Sequence, residues 1–172
     1  MQGWGMLVGT HTLLPVCACL VADNLAIGMG RDRIFPMRSM WAVGLFGILP
    51  DVCTPHLSLE DRYASWSHTV WFMAGLTIVA GMAGAFFERG YRIRVALACW
   101  FAAALHLAAD AISGGIVWFY PWRTDVVGRY YIPAQHWMWF DAFFVVFAWL
   151  LIRVVPHLEA RNIRVSRTPE SP

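Results

Sequence analysis

Charge is what this sequence has least of. Acidic and basic residues make up 14% of its 172 positions, where soluble domains carry about 25%. Lysine is missing altogether, and all 13 basic residues are arginines. The net charge of +2 advertises no polyanion-binding surface, so nucleic acid is not an expected partner. Cysteine is equally sparse. Cys17, Cys19, Cys53 and Cys99 make no CxxC pair. Positions 17 and 19 would lie about 200° apart around a helix, too divergent to share a metal. Cys17, Cys19 and Cys99 sit in apolar runs and read as small buried hydrophobes. No basic stretch precedes the first apolar run, so a cleaved signal peptide is not expected. Together these absences exclude a disordered chain, a disulfide-rich secreted miniprotein and an ordinary cytosolic enzyme.

Apolar residues are what fills the space: 59% of the chain is hydrophobic and 15% aromatic. The first apolar stretch, 4–22, is interrupted by His11 and closed by Asp23-Asn24. Residues 40–50 are apolar but short, and with preceding residues make a short or tilted crossing over 37–50 that stops at Pro50. The clearest span is 69–87, uncharged throughout. Two further spans follow at 95–113, carrying His106 and Asp110, and at 137–155, carrying Asp141. The segment 51–67 reads as polar and irregular. The expected fold class is all-α: a polytopic membrane helix bundle of about five transmembrane helices, one of them short. It occupies residues 1–156 with a site in its outer half, and a polar flexible C-terminal tail, 157–172, follows. Ten of the 13 arginines fall in the 28–40 loop, the 88–94 turn and the stretch from Arg153 onward. By the positive-inside rule these mark the cytoplasmic side, with the N-terminus outside and the C-terminus inside. Trp66, Trp71, Trp118, Trp122, Trp137 and Trp139 gather near the outer boundary as an interfacial belt would.

Ionisable side chains inside lipid are costly and usually face a bundle interior or a cavity. His11, His106, Asp110 and Asp141 therefore each require a reason. The topology gives them a common depth. His11 lies about 10–12 Å below the outer surface at 1.5 Å per residue. His106 and Asp110 occupy the outer half of their helix, and Asp141 lies within a turn of the outer end of the last one. Pro50-Asp51 closes the short crossing on that side, and His68 opens the next helix there. His106 and Asp110, four residues apart, share one helix face at a spacing that suits a divalent metal held by nitrogen and oxygen. An intrahelical His–Asp hydrogen bond is the plainer reading of that pair. Asp141 could instead pair with Arg123 or Arg129 across the rim. Asp23 falls at the inner end and reads as a cap or interfacial residue, as His136 and His157 read as interfacial.

Three segments carry a family resemblance. They are Gly9-Thr10-His11; Gly47-Ile48-Leu49-Pro50-Asp51 followed by Trp66-Ser67-His68-Thr69; and Leu105-His106 through Asp110 and Ser113 to Gly115 and Tyr120-Pro121-Trp122. Their order and spacing resemble the LexA-regulated, membrane-bound metal-dependent hydrolases, a family distantly similar to zinc-dependent phospholipases C. Asp141 resembles a late aspartate of that family. The chain departs from the pattern at Cys53, where a second aspartate often stands, and at Tyr63-Ala64-Ser65, where H-R-G often stands. These departures leave open a reduced metal count, a replacement ligand such as His56, or lost activity.

The resemblance implies a bacterial plasma-membrane hydrolase. His11, Asp51, His68, His106 and Asp110 would hold one or two divalent ions, zinc above others for a His/Asp set. His56 would be an auxiliary ligand, and Asp141 would orient a ligand imidazole or act as general base. A site beneath the outer surface suits an amphiphilic substrate drawn from membrane lipid, such as a lipid phosphate or ester. The alternative is a non-enzymatic membrane protein, either an ion or proton transporter or a metal-stabilised structural module.

Overall fold

The computed structural model describes residues 8–55, 59–129, 131–132 and 136–167. Six α-helices make up the described chain: α1 Val8–Gly28, α2 Ser39–Cys53, α3 Leu59–Tyr63, α4 Val70–Ala85, α5 Arg92–Ile112 and α6 Trp137–Arg167. A 3₁₀ turn, Trp66–His68, joins α3 to α4. The all-α bundle expected from the apolar runs is what forms. Three helices contain stretches long and apolar enough to cross a membrane, Gly9–Gly28, Arg92–Ile112 and Trp137–Asn162. The other two apolar helices are shorter. Ser39–Cys53 and Val70–Ala85 have 15 and 16 residues. At 1.5 Å per residue they reach about 22–24 Å, against a hydrocarbon core of about 30 Å. The segment that reads as the clearest span, 69–87, is thus one of the short ones. Thr69 caps it by accepting from Phe72 N–H at 3.3 Å, and its hydroxyl donates to the Trp66 carbonyl at 2.7 Å.

Other boundaries shift for identifiable reasons. α1 continues past Asp23-Asn24 to Gly28 because both polar side chains find partners inside the bundle. One Asp23 oxygen accepts the backbone N–H groups of Ile34 and Phe35 at 2.8 and 3.0 Å. Asn24 donates to the carbonyls of Leu20 and Leu151 at 2.9 and 3.2 Å. α2 runs through Pro50 to Cys53, with the Pro50 carbonyl accepting Thr54 N–H at 3.2 Å. The irregular 51–67 segment contains α3 and the 3₁₀ turn. The polar end expected to be a loose tail from 157 continues as α6 to Arg167. Glu159 pairs with Arg33 at 2.7 Å, and Asn162 donates to the Ile27 carbonyl at 2.7 Å, which fastens this part of α6 to the end of α1. Residues 168–172 lie outside the described residues.

α1 packs against α2, α5 and α6, while α5 also packs against α2 and α4. The interior of α5 is built of small residues, with Ala98, Cys99, Ala102 and Ala103 all buried. Small side chains let apolar helices approach closely where lipid offers no hydrophobic driving force. Cys17 and Cys19 are buried as expected, whereas Cys53 is exposed. α6 shows an apolar outer face, including Phe143, Val146, Trp149 and Leu150, that water would not tolerate but lipid would. Of the tryptophans read as a belt, Trp66, Trp71, Trp122 and Trp139 are exposed and Trp118 is half-buried, while Trp137 is buried.

The helix ends sort the polar groups. The arginine-bearing ends of α1, α2, α5 and α6 meet at one end of the bundle, where Arg38 also pairs with Glu88 at 3.1 Å. The start of α1, the end of α2, the 3₁₀ turn and the end of α5 meet at the other. Close contact there depends on Gly47, since a Cβ at that position would stand 2.2 Å from the His11 carbonyl oxygen. Gly47→Ala must force α1 and α2 apart, at a cost of about 1–3 kcal/mol. The expected outcome is a lower melting temperature in detergent than that of the unsubstituted chain, and an unchanged melting temperature would show that the contact is not needed.

Candidate metal centre

α5 ends in a helical turn that carries two of the site residues. His106 and Asp110 lie one turn apart and both are buried, at 1% and 0% exposure. The Asp110 carbonyl then accepts from Ser113 and Gly115 N–H at 3.1 and 3.0 Å, which closes the helix at the glycine pair. α2 contributes Asp51 from its last turn, and the 3₁₀ turn contributes His68, which is fully buried. These four residues converge, each offering one ligand atom within 4.8 Å of the others.

Five of the separations among these atoms are short. His68 Nε2 lies 3.3 Å from His106 Nε2, 3.0 Å from Asp110 Oδ2 and 3.4 Å from Asp51 Oδ1. His106 Nε2 lies 3.3 Å from Asp110 Oδ2 and 3.4 Å from Asp51 Oδ1. A tetrahedron drawn around a centre with bonds of about 2.0–2.1 Å, usual for imidazole and carboxylate ligands, has edges of about 3.3–3.4 Å.

The surrounding hydrogen bonds turn these atoms into acceptors. His106 Nδ1 donates to the Gly47 carbonyl at 2.7 Å, so a neutral His106 presents the lone pair of Nε2. Behind His68, the Ser67 hydroxyl donates to the Pro50 carbonyl at 2.7 Å. Ser65 Oγ lies 2.9 Å from Ser67 Oγ and 3.0 Å from His68 Nδ1. With His68 Nδ1–H as the donor, a chain through Ser65 and Ser67 to Pro50 leaves the His68 Nε2 lone pair facing the centre. Neither carboxylate oxygen of Asp110 accepts a hydrogen bond of ordinary geometry among the described residues, although both are buried. Acceptors this close repel one another unless a positive charge lies among them. The donor set therefore fits a divalent ion. Asp51, at 23% exposure, is the open edge of an otherwise buried cluster.

The remaining candidates fall elsewhere. His11 stands behind the four donors. Its ring stacks on His106 with centroids 3.9 Å apart, and its Nε2 lies 3.5 Å from Asp110 Oδ1, the oxygen turned away from the centre. Asp141 accepts a hydrogen bond from the Thr10 hydroxyl and packs against Gly9, so it grips the start of α1 one residue before His11. Among the described residues Asp141 makes no cross-rim pair with Arg123 or Arg129, and Arg123 binds Asp125 at 2.8 Å. His56 lies outside the described residues. Tyr63 donates to the Gly114 carbonyl at 2.9 Å, which occupies its hydroxyl.

Sequence reasoning missed Arg62, which reads as a loop arginine beside Glu60 and Asp61. It is 2% exposed, and its Nη1 lies 3.3 Å from Asp110 Oδ1. It also missed the supporting roles of Ser65 and the Gly47 carbonyl, because hydrogen bonds between elements leave no local pattern.

Removing one donor should abolish tight binding. The purified full chain is expected to carry a divalent metal, and His106→Ala and Asp110→Asn should each lower its affinity at least about 10–100-fold. Elemental analysis after dialysis checks this, and equal metal content in all three proteins would sink the site.

The profile of the YdjM inner membrane protein family matches residues 6–168. No curated protein and no solved structure matches the chain. The matched region covers the whole bundle and each of the four converging residues, so the chain belongs to the YdjM inner membrane protein family, the LexA-regulated membrane-bound metal-dependent hydrolases.

Proposed function

We propose that the protein is a membrane-embedded, metal-dependent hydrolase that acts on a lipid or another amphiphilic phosphate or ester at the outer membrane face, as a phospholipase does. The observation that carries this reading is the convergence of His68, His106, Asp51 and Asp110 at metal-ligand spacing, with Asp51 on an accessible edge. Zinc suits the His/Asp donors best. A bound divalent ion would lower the pKa of a coordinated water to about 7 and polarise a phosphoryl or acyl oxygen.

The protein's own residues supply orientation and dryness. The Gly47 carbonyl and the Ser65–Ser67 pair aim the two imidazoles. The partly exposed Asp51 would border the side from which a substrate enters. Asp141, through Thr10, fixes the turn that bears His11 and acts as an orienting residue. His56 remains an auxiliary ligand in this reading. The arginine-rich end would face the cytoplasm, which puts the site and both chain regions that flank it in the outer half.

A second reading is a non-enzymatic, metal-stabilised module. Four protein donors would by themselves satisfy a structural zinc site, whereas catalytic sites usually keep a position open. A proton-transport role has less support, since Asp23 in the inner half is engaged by two backbone N–H groups of the 31–38 loop.

Proteoliposomes containing phosphatidylglycerol and lipid phosphates separate the two readings. The expected result is release of phosphate, headgroup or fatty acid that is lost on chelation and falls about 100-fold or more in His68→Ala. Stoichiometric metal without hydrolysis, together with a large drop in melting temperature on chelation, would establish the structural module instead.

A further inference from the structure

Asp110 divides its two oxygens between different surroundings. Oδ2 faces His68 Nε2 and His106 Nε2 at 3.0 and 3.3 Å. Oδ1 faces Arg62 Nη1 and His11 Nε2 at 3.3 and 3.5 Å. The same Arg62 nitrogen reaches the Asp110 carbonyl at 3.5 Å and Ser113 Oγ at 3.4 Å. Arginine does not lose its proton in proteins, so a permanent positive charge is buried against the back of the carboxylate.

In two-metal centres the ions stand about 3.5–4 Å apart, and a carboxylate can bridge them with one oxygen on each. Here the guanidinium occupies the side of Asp110 where a second ion would bind. The charges agree with this arrangement. Asp51 and Asp110 are the described carboxylates at the cluster, and Arg62 offsets one of them. One divalent ion would leave the neutral-histidine site with a single excess positive charge. A second would leave three in a buried setting, which low dielectric strongly disfavours.

We propose that Arg62 is a positioning residue that, with His11, restricts Asp110 to ligation through Oδ2 and makes the centre mononuclear. This rests on the reading of the four donors as a metal centre. Arg62 takes the place of a second cation, its Nη1 held at once against Asp110 Oδ1, the Asp110 carbonyl and Ser113 Oγ.

Metal titration of the purified full chain in detergent, with zinc for stoichiometry and cobalt for the visible spectrum, tests the assignment. The unsubstituted chain is expected to bind one equivalent and to give the intense absorption of four-coordinate cobalt. Arg62→Met frees Oδ1, so affinity should fall about 10–100-fold and the cobalt spectrum should weaken toward higher coordination. Arg62→Lys, which keeps the charge without the fork, should recover part of the affinity. Two equivalents in the unsubstituted chain, or an Arg62→Met protein with unchanged affinity and spectrum, would overturn the assignment. Should Arg62→Met not fold, the stoichiometry of the unsubstituted chain still decides. A chain that binds no metal at all would sink the metal centre itself, an outcome distinct from binding two.

Discussion

Burying the Asp110 carboxylate is the demand around which the functional end of this bundle is organised. An ionised carboxylate removed from water costs several kcal/mol unless charges and donors surround it. α5 alone supplies only His106 from one turn away. The other partners arrive from separate parts of the chain: His11 from α1, Arg62 from α3 and His68 from the 3₁₀ turn. Asp51 of α2 completes the cluster through the two imidazoles. The ends of the helices must therefore meet where the carboxylate lies. This explains why Arg62, Ser65, Ser67 and His68, polar residues between α2 and α4, are buried.

The contacts behind the cluster give it direction. Each imidazole is held by its far nitrogen, His106 through the Gly47 carbonyl and His68 beside Ser65 and Ser67. Ser67 in turn binds the Pro50 carbonyl one residue before Asp51, which couples the geometry of one ligand to the backbone of the next. Gly47 serves twice, since its missing side chain admits the α1 backbone and its carbonyl orients His106. Such outer contacts fix tautomer and ring plane, and metal sites depend on them nearly as much as on the ligands. The opposite end of the molecule uses the same economy for a structural purpose, with Asp23 gathering backbone N–H groups of the arginine-bearing loop.

An apolar bundle with a small buried polar centre poses a choice between chemistry and stability. The four protein donors pack closely, while Asp51 forms the partly exposed edge of the cluster.

Much of the fold was legible because the relevant signals are local. Apolar runs located the five main helices, and the HxxxD spacing of His106 and Asp110 already put both on one face of α5. The common depth of His11, Asp51, His68, His106 and Asp110 followed from counting residues along alternating crossings. What composition could not settle was length and destination. Thr69 caps α4 instead of joining it, Asp23 and Asn24 extend α1 because their partners lie on the loop after it and on α6, and the polar stretch after Pro156 stays helical while docking on the end of α1. Arg62 looks like any loop arginine until Asp110 is beside it. The sequence by itself determined the all-α membrane class, the five main apolar helices and the residues able to form a centre, since hydropathy and spacing act along the chain. Only the tertiary structure decided which four of them converge, that His11 supports the centre from behind and that a guanidinium closes its rear, because those roles arise from directions in space that no linear spacing encodes.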